Sequence, residues 1–283
     1  MKNTGSQNVD SPAILMEGAT SDPVRSGGEP HPRKRRSQPS TPTCVLILGM
    51  HRSGTSMLTR LLNIAGYALP TELIGATKDN QTGHWEPVVL NTLNQDFLVR
   101  IGSDWSDWSR LDFDALPRDV LAAYGADLRA WLRSEKGTRQ SLVLKEPRAC
   151  RLAPPILAAL KDEGFETRVI IPYRNPLEVA RSLEARDKIA QRRGVLLWMR
   201  HVLDAEVYSR GLRRSFVDYT AVMSDWAQEL ERISRDVGLD RLTRIDEIAE
   251  EADSFVSDEL RHHSGDSQTL AEIDYTAGMA LTI

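Results

Sequence analysis

Two kinds of apolar pattern alternate along most of this chain. The first is the short continuous run: "TCVLIL" (43–48), "SLVLKEPR" (141–148), "TRVIIPYRNP" (167–176) and "RSFVDYT" (214–220). The first of these runs, continuous and without polar alternation, marks a buried strand of a parallel sheet; the second and third read as short strands running into turns, and the fourth as a strand. Pro172 has no amide hydrogen to give, so the third ladder is expected to end there. The second pattern is a stripe of helical period. In "SMLTRLLNIAG", Met57, Leu58, Leu61, Leu62 and Ala65 share one face, and Gly66 is placed to end the helix. "ADLRAWLR", "GVLLWMRHVLDAEVYSR" and "AVMSDWAQELERISRDVG" read as further helices, the last ending near Gly238. Where the third run gives way to a helix, Asn175 is an N-cap, Pro176 suits the first helical position, and Glu178 completes a capping box. Strands separated by helices make βαβ units. The predicted fold class is therefore α/β, a mostly parallel sheet flanked by helices on both faces, with no internal repeat.

The pattern fades at both ends. Residues 1–42, rich in Ser, Pro, Gly and Asn, read as a disordered N-terminal tail; 43–265 is the folded domain, and 266–283 a loosely ordered C-terminal tail. "RKRR" (Arg33–Arg36) within the first tail reads as a solvated charge run. With 283 residues, 41% hydrophobic and 27% charged, the chain is long enough for one large core. Its net charge of -4 argues against a general nucleic-acid binder. Cys44 and Cys150 stand far apart, outside any CxxC or metal-ligand spacing, and read as reduced thiols. No apolar stretch approaches the roughly 20 residues of a membrane span, and "SPAILMEG" is too short and acid-flanked for a signal peptide. A soluble cytoplasmic protein is expected; its oligomeric state is not legible.

The first strand runs into "GMHRSGTS" (49–56), whose two glycines, Gly49 and Gly54, are spaced as in a P-loop. Such a loop and the helix start behind it form a nest of backbone N–H groups for an anion. A triphosphatase would place a lysine after Gly54; Thr55 stands there. Ser56 keeps the hydroxyl position, and Arg52 supplies a guanidinium suited to a phosphate or sulfate. A second arginine, Arg174 in "YRNPLEVARS", lies at the end of another strand, with Ser182 two turns into the next helix. Ligands of open α/β sheets bind outside those strand ends.

Together these motifs resemble the sulfotransferase family. "GMHRSGTS" is similar to its loop for the 5′-phosphosulfate of 3′-phosphoadenosine 5′-phosphosulfate (PAPS), and "YRNPLEVARS" to its 3′-phosphate motif. The resemblance runs through "GHWEP", "LVLKEPR", "FVDYTAVMSDW" and "FVSDELRHH", over residues 44–263, and is nearest the bacterial branch with "RSGTS" loops. It implies transfer of a sulfuryl group, without a metal, to a hydroxyl or amine of a small-molecule or glycan acceptor, releasing adenosine 3′,5′-bisphosphate (PAP). His51, Arg52, Ser53, Gly54, Thr55, Ser56, Arg174 and Ser182 would hold the donor. Arg52 and Lys145 are the cations expected at the leaving group; Glu146 stands where the family's "KDP" turn has Asp. Glu86 is the favoured general base and His84 the alternative. Trp85, Trp105 and Trp108 fall where the family binds its acceptor, and His262 and His263 near the family's C-terminal site segment. Two other readings are a P-loop phosphotransferase, which would ask for the missing lysine, and a PAP-binding protein that transfers nothing.

Overall fold

In a computed structural model of the chain, residues 41–77, 83–243 and 245–262 are described; the tail expected over 1–42, save its last two residues, and the segment from 263 on lie outside them. Among the described residues four strands, β1 (Thr43–Ile47), β2 (Ser141–Lys145), β3 (Glu166–Tyr173) and β4 (Arg213–Asp218), form one sheet in the order β2-β1-β3-β4. Every pairing is parallel. The helices in chain order are α1 (Thr55–Ile64), α2 (Val88–Arg100), α3 (Arg118–Lys136), α4 (Ala153–Asp162), α5 (Pro176–Asp187), α6 (Gln191–Tyr208), α7 (Tyr219–Ser224), α8 (Trp226–Val237) and α9 (Ile245–His262).

The period of two in β1 divides the core. Cys44, Leu46 and Leu48 face one side, packing with residues of α2, α3 and α4 such as Phe97, Leu128 and Ile156. Val45 and Ile47 face the other, against Met57, Leu58, Leu61 and Leu62 of α1 and the α8 side chains Leu230 and Ile233. Both faces of β1 are thus buried, which is why its sequence shows no alternation. Each large apolar side chain removed from water contributes about 1.5–3 kcal/mol, so this central strand anchors both layers.

Three expectations need correction. β3 does not stop at Pro172 but pairs with β4 through Tyr173. The pairing with β1 has ended at Ile170, whose carbonyl accepts from Leu48. By strand alternation the imide nitrogen of Pro172 points to that same, now unpaired, side, so no ladder bond is lost. β4 ends at Asp218, which accepts from the backbone N of Thr220 and caps α7. The helix expected over 221–238 is broken at Asp225, whose extended backbone and side-chain bond to Gln228 N begin α8. Gly238 ends α8 in the left-handed region.

Helices α2, α4 and α9 were not anticipated. In α2 the apolar stripe is blurred, because Val88, Val89 and Val99 are exposed while Leu90, Phe97 and Leu98 are buried. In α4 the pair Pro154–Pro155 suggests a loop, yet it sits in the first turn, where missing N–H groups do no harm. No helix among the described residues is long and apolar enough to cross a membrane.

Candidate active site

β1 leads into the 49–56 loop, which turns back on a bond from Ser53 N to Met50 O. Arg52 (φ 66) and Gly54 (φ 78) are both left-handed. A Cβ on Gly49 would come within 2.6 Å of Thr55 Cγ2 and 2.7 Å of Pro172 Cγ; one on Gly54 would stand 2.4 Å from Tyr219 Cδ2. The two glycines are therefore dictated by close approach, and at Gly54 by conformation as well. α1 starts at Thr55 with Gly54 as N-cap, no side chain capping it and no acid in its first turn. An uncapped start of this kind turns the positive end of the helix dipole toward the loop, as an anion site requires. Within the loop the buried Ser53 Oγ has no partner. Thr55 is buried, its methyl turned to Gly49.

The other three strand ends converge on this loop. Arg174, one residue past β3, bonds Glu178 through Nε and lies over the ring of Tyr219, 4.6 Å from its centroid. Tyr219 follows β4 and is the residue Gly54 packs against. Asn175 caps α5 by accepting from Leu177 N at 2.9 Å, while the expected second half of the capping box, Glu178, serves Arg174 instead. Two turns in, Ser182 Oγ accepts from Arg52 Nε at 2.7 Å. The structure thus brings the two motifs together twice, through Arg52–Ser182 and through Gly54–Tyr219–Arg174.

Lys145 ends β2, its side chain only 1% exposed. Its ammonium donates to Glu86 Oε1 at 2.8 Å, to Ser56 Oγ at 3.3 Å and to the carbonyl of His84. Three protons meet three acceptors, as a buried charge requires. Burial pushes the Lys145 pKa down, against the upward pull of Glu86. Trp85 has a left-handed backbone (φ 56), rare and strained for so bulky a residue, and His84 O and Glu86 on either side of it both reach Lys145. The Trp85 ring lies under the Arg60 guanidinium at 5.1 Å. The two base candidates are separated: Glu86 reaches Lys145 and Asn91, while the His84 ring bonds Thr77 at 2.9 Å. Burial, opposed by Glu86, lowers the His84 pKa.

Glu146 turns away from Lys145 into the interior. It accepts from Arg148 and from Asn94, and Asn94 in turn accepts from the Tyr124 hydroxyl. Burial raises its pKa to about 7 against the pull of Arg148, with the Glu86 carboxylate adding to the rise. Sequence reasoning missed Asn94, Tyr124, Arg148 and Tyr219. The first lies on the unanticipated α2; Arg148 and Tyr219 stand inside quoted motifs and had a strand-end position as their only signal.

His51 is half-buried, its ring edge-on to Trp105 with centroids 5.0 Å apart. Burial, then the charges of Arg186, His201, Arg148 and Lys145, keep its pKa well below the usual histidine value. Trp105 and Trp108 pack against Met50, Val179, Leu183 and Leu197. Their loop is pinned by its carbonyls: Arg151 donates to Asp104 O and Ser109 O, Arg200 to Trp108 O, and Arg193 to Ser106 O. The His262 side chain and His263 lie outside the described residues.

Fold and site together define an α/β protein in which an anion-type loop, two arginines and a buried lysine meet at the carboxyl ends of a parallel sheet. No protein-family model matches the chain, and no curated protein matches it. Solved structures similar to it include the sulfotransferase STF1 of Mycobacterium tuberculosis, at 17% identity over 76% of this chain and 72% of that one, with a TM-score of 0.41. The sulfotransferase domain of the Synechococcus PCC 7002 olefin synthase is 16% identical over 83% of this chain and 93% of that one, with a TM-score of 0.44. The sulfotransferase domain of the curacin biosynthetic pathway is 18% identical over 69% and 73%, with a TM-score of 0.43. At these scores the likeness is loose and assigns nothing to the site.

Proposed function

We propose that this protein is a PAPS-dependent sulfotransferase acting on a hydroxyl or amine of a small-molecule or glycan acceptor. The observation that carries the reading is the 2.7 Å bond between Arg52 of the loop and Ser182 of the second motif. Two motifs 130 residues apart form one surface, as a donor with both a 5′-phosphosulfate and a 3′-phosphate demands. The uncapped start of α1 and the orphaned Ser53 hydroxyl fit an anion at the loop.

The 5′-phosphosulfate falls to the loop amides with Arg52, Ser53, Thr55 and Ser56, in a loop whose shape His51 supports, and the 3′-phosphate to Arg174 and Ser182. PAPS supplies an activated sulfuryl group, whose bond to the 5′-phosphate oxygen breaks as the bond to the acceptor forms. Glu86 receives the acceptor's proton. As it does so its charge disappears, its hold on Lys145 slackens, and the ammonium is released toward the 5′-phosphate oxygen of the donor, on which negative charge builds. The direct Lys145–Glu86 contact makes proton removal and leaving-group stabilisation parts of one event. A protein that only bound PAP would have no use for this pair beside Ser56. A phosphotransferase would need a lysine where the Thr55 methyl packs against Gly49.

The test is release of PAP from PAPS in the presence of a panel of hydroxyl and amine acceptors. Wild type is expected to turn over, and Lys145→Ala to lose about a hundredfold or more, as when a single charge-stabilising donor is removed. Transfer of the γ-phosphate of ATP instead, or full activity in Lys145→Ala, would contradict the reading.

A further inference from the structure

Arg186 is not accounted for by the donor. It follows Ser182 by one helical turn on α5, so both side chains lie on the face turned to the loop. Its guanidinium lies over the Trp105 ring at 6.0 Å, and that ring stands edge-on to His51. Its charge bears on both His51 in the loop and His84 two residues before Glu86. Its Nε is held by Asp187 at 2.8 Å, and both side chains are partly exposed. Among the described residues its two terminal nitrogens bond nothing else. The other cations here are differently placed: Lys145 has three acceptors, Arg148 has Glu146, and Arg174 has Glu178 and Tyr219.

From this geometry we infer that Arg186 and Trp105 form an acceptor subsite for an anionic group carried beside a flat or apolar face. A guanidinium fork with its paired N–H groups uncommitted matches a carboxylate, sulfate or phosphate in two-point contact. The half-buried indole beneath it leaves apolar surface beside the fork, against which the rest of a sugar or aromatic ring can lie. The wall is rigid, because Arg151, Arg193 and Arg200 hold the loop that carries Trp105 by its carbonyls. Lys145 offsets the charge of Glu86 as Asp187 offsets that of Arg186, so the pull on an anion comes from the two terminal nitrogens of the fork, which Asp187 does not engage. The acceptor class of the proposed sulfotransferase is thereby narrowed to anionic hydroxyl or amine compounds, and this step rests on the donor reading above.

The experiment is calorimetry on the full-length protein. PAP is titrated first, then 4-hydroxybenzoate, 4-hydroxybenzenesulfonate and 4-hydroxyphenyl phosphate against neutral 4-hydroxybenzamide, with PAP saturating. Wild type is expected to favour at least one anionic probe over the amide by about tenfold or more, the size of a good charge-assisted contact. Which of the three leads identifies the anionic group. Arg186→Gln should erase the preference while leaving PAP affinity within about threefold; Arg186→Lys, which keeps charge but not the fork, should retain part of it. Unfolding midpoints of both variants establish that they are folded. No anionic preference in wild type, including no binding of any probe, overturns the subsite. So does a preference that survives Arg186→Gln, or a tenfold loss of PAP affinity in that variant, which would assign Arg186 to the donor. If wild type fails to bind PAP, the donor reading falls by itself; the same probe comparison without PAP then decides the subsite.

Discussion

A lysine ammonium 1% exposed at the end of a buried strand stays charged only because three acceptors surround it. Lys145→Ala should therefore do two separable things. Besides the loss of turnover, it leaves Glu86 as an unpaired buried carboxylate and should destabilise the fold by about 3–5 kcal/mol. Combining Lys145→Met with Glu86→Gln removes both charges and should restore most of that stability in urea unfolding while staying inactive. If Lys145→Ala alone unfolds like wild type, the buried pair is not as described. Glu146 gives a second test at this scale. Its pKa of about 7 lies above the ordinary 4.5, so between those values the folded state binds more protons than the unfolded. Stability from this group is full below about pH 4.5 and is lost as pH rises through about 7. Glu146→Gln should flatten that fall relative to wild type; an identical pH profile would show the group is not buried as placed. Lys145 was legible from its place at a strand end in "LKEPR". The network around Glu146 was not, because Asn94 reaches it from α2 and Tyr124 reaches Asn94 from α3, both distant in sequence.

Among the elements, the loop between β1 and α1 carries the tightest constraint. Gly54→Ala sets a Cβ against Tyr219 in a left-handed conformation, so it should destabilise by about 1–3 kcal/mol. It should also weaken PAP binding, since Tyr219 supports Arg174. Near wild-type stability and affinity would contradict the packing of Gly54 on Tyr219. β1 and β2 could be read from the sequence because burial on both faces leaves continuous apolar runs, and α1 because its stripe is clean; β4 lies at the sheet edge, with Ser215 and Val217 buried and Phe216 exposed. Pro172 misled because its tolerance depends on where a neighbouring strand stops. The break at Asp225 was missed because a capping aspartate inside a good helical stripe is outweighed by the stripe. The loop and both arginines were visible as motifs, whereas Tyr219, which joins them, stood inside the strand expected over 214–220 and carried no sign of a role in the site.

At the scale of the molecule, the order β2-β1-β3-β4 makes β1 and β3 neighbours from which the chain departs in opposite directions, and ligands of open α/β sheets bind at such a switch point. Each strand delivers one part there: β1 the loop, β2 Lys145, β3 Arg174 and β4 Tyr219. A chain with net charge -4 thus sets Arg52, Lys145 and Arg174 at the carboxyl ends of its strands, which suits a compact anionic ligand better than an extended polyanion. The site proposed there takes a nucleotide with a 3′-phosphate. It is tested most directly by thermal unfolding of the full chain with PAP, ADP, or ATP plus magnesium, each with and without EDTA. A ligand at about 100 times its Kd stabilises by about 2.7 kcal/mol, a shift of several degrees in a domain of this size. The expected result is a shift with PAP that survives EDTA and clearly exceeds that with ADP. A shift only with ATP and magnesium, or none with PAP in a folded sample, would contradict it.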